Sequence, residues 1–403
     1  MKKYQKIILA IWPFLVFALF RFNGINQNIC KMTQFVTVAV TLLYLSNTFL
    51  CKFSRNSYPY LVRWQMISVV ISIFMSYIAW QQSIILSFRV TCIELSVIYF
   101  FLLYKWQPSL EYVEKIALTY GVVNLVLWMM AMSVAPMPLF GGIEEEMKEP
   151  DRGVYRINIL GNGFFLLTFF YSVVRFKMSS KKIWLVIAVL LYMIIVMHVV
   201  RQIIAFTLIT AIIYYFWNRK WRAAIFIFIF YVFSNVISFK DALLGNKVMS
   251  AMIEQTEKQF DSQKSGEDDT RVREYIYFFA EFPTTPLTAM FGNGTPHSEG
   301  PFGKMAEYYM GVLRMFPSDV GYAAIYHQHG ILGLIILLCL LIMVIRQKVP
   351  NRWMYIKLFI LYQIPANIAA CWFVHDTMTI ATCYYILYRL QIQSNQQNLP
   401  YKI

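Results

Sequence analysis

Runs of roughly eighteen or more apolar residues recur along the whole chain, and they decide what this polypeptide can become. A run of that length crosses a hydrocarbon core of about 30 Å as a helix, and a backbone in lipid must satisfy its own hydrogen bonds. The chain has 403 residues, 59% hydrophobic and only 14% charged, outside the range of soluble domains. The expectation is an all-α polytopic membrane protein. Spans are predicted near 6–20, 34–51, 64–81, 84–104, 116–135, 157–174, 183–199, 202–217, 223–239, 321–345, 354–371 and 374–388. The first run, IILAIWPFLVFALF, follows Met1-Lys2-Lys3 in the manner of a signal peptide. No small-residue cleavage site follows it, and another apolar run begins soon after, so it reads as a retained span.

About twelve crossings put both termini on one side. The connectors on that side include CKFSRNSYPYLVR, RFKMSSKK, NRKWR and RQKVPNRWMYIK, short and rich in Lys and Arg as cytoplasmic loops are. The opposite side carries GGIEEEMKEPDRGVYR with Glu144, Glu145 and Glu146. The net charge of +15 therefore reads as a topology signal, and no nucleic-acid partner is expected. The six cysteines show neither disulfide nor metal spacing, and no phosphate-binding or dinucleotide fingerprint is present. Neither a cofactor nor a metal is expected.

The organisation reads as spans one to nine over 1–239, a large extracytoplasmic loop over 240–320, and spans ten to twelve with a cytoplasmic tail over 321–403. Roughly eighty residues exceed what a connector needs. KQFDSQKSGEDD is the loop's most linker-like stretch. DDTRVREYIYFF follows, with Asp269 placed to cap a helix whose Val272, Tyr275, Ile276 and Phe279 share a face. That spacing suits a helix lying on a membrane surface or against other spans. FGNGTPH is a turn in which Gly292 and Gly294 permit unusual backbone angles. All five histidines, His198, His297, His327, His329 and His375, map to the outer side, where Arg201 marks a tight turn. Arg89 and Glu94 fall inside span four, and ionisable groups there are costly and tend to line a substrate path.

The pieces HVVRQ, TRVREYIYFFAEFPTTPLTAMFGNG and PSDVGYAAIYHQHGILGL, in that order and spacing, resemble the O-antigen polymerase and O-antigen ligase superfamily. The three pieces cover 48 of the 403 residues. The resemblance implies a GT-C-like, metal-independent and inverting glycosyltransferase in a bacterial cytoplasmic membrane, with its active site on the outer face. Its donor and acceptor would be oligosaccharides linked through diphosphate to a polyprenyl lipid, and a chain-length regulator would be a partner. The ligase pattern has a His-Asn pair where this chain reads Ser318-Asp319, which favours the polymerase.

A diphosphate leaving group gathers negative charge as its glycosidic bond breaks, and arginine forks meet phosphate oxygens bidentately. On the matched positions Arg271 and Arg201 are the candidates to hold the diphosphate and Asp319 the candidate base. Arg273, Arg89, His327, His297, Gly292 and Gly294 are candidate substrate contacts. With Asp319 at i, His327 at i+8 is expected on the same helix face, two turns inward. Plainer roles stay open: arginines at span ends snorkel to headgroups, and histidines bond between spans. The alternatives are the ligase, a lipid-linked oligosaccharide flippase or transporter, and a non-catalytic assembly protein.

Overall fold

The computed structural model describes residues 1–140, 157, 159–198, 200–216, 270–282 and 285–397. Helices dominate them, and the only strand-like pairing is an isolated bridge between Phe22 and Phe140. The helices are α1 (Lys3–Val16), α2 (Gln27–Phe49), α3 (Tyr58–Trp80), α4 (Ile84–Val90), α5 (Tyr99–Trp106), α6 (Leu110–Val134), α7 (Asn162–Ser179), α8 (Lys182–Met197) and α9 (Arg201–Tyr215). After 269 follow α10 (Thr270–Ile276), α11 (Pro286–Phe291), α12 (Pro301–Glu307), α13 (Gly321–Arg346), α14 (Met354–Ala366), α15 (Trp372–His375) and α16 (Thr377–Gln397).

Four of these, α2, α3, α6 and α13, are long and apolar enough to cross a membrane, or five if α4 and α5 count as one bent span. Of the apolar runs in the sequence, eleven fall on helices here. The predicted span at 223–239 lies outside the described residues. So do Glu144, Glu145, Glu146, Asp269 and positions 240–269 of the long loop.

Polar contacts fix how the helices run. At one end Tyr58 donates to Gln347 Oε1 at 2.6 Å, Gln347 donates to the Leu387 carbonyl at 2.8 Å, and Tyr355 donates to Glu114 Oε1 at 3.1 Å. Arg352 pairs with Glu114 at 3.3 Å, and Lys177 donates to the Tyr214 carbonyl. These contacts gather the Lys- and Arg-rich connectors among the described residues at a common basic end; NRKWR lies outside those residues. The other end holds the start of α7 and the described part of the long loop, and it is called the loop end below. Between them lies a core dense in aromatic rings, with Phe100, Phe101, Phe170, Tyr384 and Tyr385 fully enclosed.

Two helices are interrupted. The predicted straight span over 84–104 is instead bent by 69° between α4 and the short 3-10 turn Glu94–Ile98 that leads into α5. At the bend the Thr91 hydroxyl donates back to the Ser87 carbonyl at 2.9 Å, a contact that slightly weakens the helical ladder there. The second break is at Gly330 inside α13, where φ is +66 and ψ −169. An L side chain resists that φ, and a Cβ there would press on the Met290 carbonyl and the Gly292 amide.

Candidate functional site

A break in a helix frees the carbonyls of its last turn, and buried carbonyls need donors. At Gly330 the freed acceptors are those of His327 and Gln328. The Asn293 amide donates to the first at 2.8 Å and the Gly294 amide to the second at 3.0 Å. The turn Gly292–His297 therefore enters the bundle as a cap on the broken helix. It arrives from α11, whose start is fixed by reciprocal bonds between Thr285 and Thr288 at 2.8 and 3.2 Å. On its other flank α3 supplies two anchors, with Ser76 donating to the Asn293 carbonyl at 3.2 Å and Trp80 Nε1 to Asn293 Oδ1 at 3.1 Å. Gln82 completes the seat by donating to the Thr295 carbonyl at 3.0 Å and accepting from the His297 amide at 2.9 Å.

Beneath this turn the two breaks face each other across a pair of ionisable residues. His329 Nε2 lies 3.0 Å from Glu94 Oε2, and Thr295 donates to Glu94 Oε1 at 3.1 Å. Both partners are enclosed, Glu94 at 4% and His329 at 7% exposure. They border a cavity of about 40 Å³ that Gln65, Ser68 and Thr377 also line. Gln65 Oε1, Ser68 Oγ and His329 Nδ1 are buried there without a hydrogen-bond partner.

The residues singled out from the sequence divide into three groups. Gly292 and Gly294 are packed against protein on the side where a Cβ would stand: the first would press on the Gln328 carbonyl, the second on Ser76 and the Ser72 carbonyl. His297, 9% exposed, accepts the Glu299 amide at Nδ1 at 3.2 Å and so closes the turn. Burial holds its pKa below the ordinary imidazole value, Glu299 opposing and the nearby charges of Arg89 and Lys31 adding to the shift. Arg89, half-buried in the last turn of α4, makes no hydrogen bond or ion pair among the described residues.

His327 sits elsewhere than its spacing implied. The helical register linking it to Asp319 does not exist, because Asp319 ends a separate 3-10 turn and Val320 is non-helical at φ −135 and ψ 71. Its ring is enclosed by Phe278 at 5.1 Å, Phe282 at 4.4 Å, Phe302 at 6.0 Å and Tyr309 at 6.1 Å. Neither ring nitrogen has a hydrogen-bond partner in that aromatic enclosure.

The third group lies at the surface of the loop end. Asp319 is exposed and accepts from the Ser318 hydroxyl at 3.2 Å. Helix α10 carries Arg271, half-buried, and Arg273, exposed. It is tied to the Asp319 turn because Glu274 accepts the Phe316 amide at 3.0 Å, and to the end of α14 because Tyr275 donates to the Ile368 carbonyl at 2.7 Å. Along α10 and the π-helical turn Tyr277–Glu281 that continues it, the face that packs is not the aliphatic one: Glu274, Tyr277 and Phe278 are buried, while Val272, Ile276 and Phe279 stay exposed. Arg201 is the first residue of α9, which packs antiparallel along α14 and so begins at the same end.

The structure thus joins the helix of Arg271 and Arg273 to the turn of Asp319, sets Arg201 at the start of a helix packed on α14, and brings Arg89 near His297. Sequence reasoning missed the Glu94–His329 pair. Its signal was present in Glu94, the lone carboxylate of a long apolar run, and in the glycine that directly follows His329. No family model matches the chain, and no curated protein matches it.

Proposed function

We propose that this protein polymerises polyprenyl-diphosphate-linked oligosaccharide repeat units into a surface polysaccharide. In this reading the chain crosses a bacterial cytoplasmic membrane about twelve times, with the basic end cytoplasmic and the loop end facing out. The observation that supports it is the joining of α10, which brings Arg271 and Arg273, to the turn that presents Asp319. A carboxylate and two guanidinium groups at one surface are what transfer from a lipid diphosphate needs. Arg271, with Arg201 across α14, would grip the diphosphate and stabilise the charge that grows on it. Asp319 would take the proton of the acceptor hydroxyl as its oxygen bonds to the donor's anomeric carbon, while the bond from that carbon to the diphosphate breaks. Arg89 and Arg273 would add positive charge for the second lipid-linked chain. Gly292, Gly294, His297 and His327 enter as supports of the site rather than as contacts with sugar. The exposed aliphatic face of α10 would rest on the bilayer where the lipid tails arrive.

The test is the length ladder of glycan in a host lacking this gene, complemented with wild type, Arg201→Ala, Arg271→Ala or Asp319→Ala at matched membrane levels. Wild type restores long chains. Losing one charge-assisted contact to the leaving group lowers turnover by about 10²–10³ and stops the ladder near a single repeat. Normal ladders from all three variants overturn the assignment. Accumulation of long, untransferred lipid-linked glycan in the empty host identifies the ligase instead.

A second reading, a transporter of lipid-linked oligosaccharide, is favoured by a different observation. Two interrupted helices enclosing an ionisable pair are what secondary transporters use to build a site inside the membrane. Transport of labelled lipid-linked substrate into proteoliposomes without elongation decides for it.

A further inference from the structure

Glu94 and His329, each next to one of the two interruptions, border the same small cavity, and the groups around it are incomplete without something more. A bare carboxylate buried at this depth is costly unless paired, and a neutral imidazole alone does not balance it. The pair becomes neutral overall with one added proton, carried either on Glu94 or on His329. The residues that line the cavity also carry three buried polar atoms without a hydrogen-bond partner, His329 Nδ1, Gln65 Oε1 and Ser68 Oγ. At about 40 Å³ it exceeds the roughly 10–15 Å³ that a water molecule needs, and a buried water typically finds about three polar partners.

We propose that Glu94, His329 and the cavity between the helix breaks form a hydrated proton-binding site, in which one exchangeable proton is shared by the pair through internal water. The titratable and polar groups that face it are few. Helix α3 contributes only the neutral Gln65 and Ser68, the capping turn contributes Thr295, and the segment around α15 contributes His375 and Cys371, both within the field of Glu94. Because Thr295 bonds the same carboxylate, the state of the proton is linked to the seat of the turn Gly292–His297 and through it to the loop end. The site stands on its own geometry and is independent of whether the chain polymerises or transports.

The test uses the full-length protein in lipid nanodiscs. Infrared difference spectra across a pH series should show a carboxyl or imidazolium signal that titrates in wild type, vanishes in Glu94→Gln and moves to higher pH in His329→Gln. Circular dichroism of the nanodisc preparations shows whether both variants are folded. A second measurement needs no variant: dicyclohexylcarbodiimide adds only to a protonated carboxyl, and peptide mass spectrometry locates the adduct. Labelling at Glu94 should fall as pH rises, and in His329→Gln it should persist to higher pH because the carboxyl must then keep its own proton. No titrating signal that depends on both residues, or labelling unchanged by pH, overturns the proposal. Protection of Glu94 by sodium or lithium, compared with choline at constant pH and ionic strength, overturns it in favour of a small-cation site.

Discussion

At the scale of single residues, what decides a role is the company a side chain keeps. His297, His327 and His329 are all imidazoles near the loop end, yet one closes a turn, one is walled in by rings, and one meets a carboxylate. Residue type and spacing show none of this, because each partner comes from a segment remote in sequence. His297 yields a pH prediction. Its folded pKa lies below the ordinary 6.5, so the unfolded chain binds the proton more readily. Its contribution to stability is therefore complete above about 6.5 and is lost as pH falls from that value through the folded pKa. In His297→Asn the side-chain oxygen can still accept the Glu299 amide but does not titrate. Melting temperatures of the detergent-purified protein should fall less steeply between neutral and acidic pH in this variant than in wild type. Equal slopes would assign the acid sensitivity to other groups.

At the scale of elements, the apolar runs were legible because lipid leaves a backbone no option but the helix. The interruptions were not. Neither has a proline to announce it: one falls beside a threonine that bonds back to its own helix, as hydroxyl residues in unbroken helices here also do, and the other at a glycine inside HQHGILGL that reads as an ordinary span start. The capping turn was legible as a turn, while its place inside the bundle depended on donors meeting carbonyls that no local pattern pairs. α10 was legible as amphipathic, with the packing face reversed, because the buried Glu274 is held by the Phe316 amide and so is not lost as a bare charge. The turn's dependence on close approach can be tested by contrast. Gly294 and Gly24 both have positive φ, +77 and +97, so alanine at either carries a backbone cost of about 1 kcal/mol. Gly24 has open space where a Cβ would go, whereas Gly294 abuts Ser76 and the Ser72 carbonyl. Gly294→Ala should therefore cost a further ~1–3 kcal/mol, measured as a lower melting temperature than that of Gly24→Ala. Indistinguishable variants would mean that the turn is not seated against α3.

At the scale of the whole molecule, the claim that organises everything else is that the two ends of the bundle lie on opposite sides of a membrane. The charge pattern supports it: the connectors gathered at the basic end are those that a cytoplasmic face would carry. The packing defines the two ends, since contacts such as Tyr58 with Gln347 and Glu114 with Tyr355 collect segments far apart in sequence at one end, and the Asn293 and Cys371 contacts collect others at the opposite one. Two cysteine positions read the arrangement directly. Cys51 is exposed at the basic end, where its carbonyl accepts from Arg63 at 3.0 Å. Ser318 is exposed at the loop end, and Cys339, the other exposed thiol, is removed as Cys339→Ala. In Ser318→Cys in that background, a membrane-impermeant maleimide applied to intact cells with a permeable outer layer should label position 318 and leave Cys51 untouched. Permeabilising the membrane should then expose Cys51. Labelling of both positions from the same side would place the arginines and Asp319 on the wrong face for a lipid-linked donor that waits outside, and the polymerase and its reaction would have to be given up together.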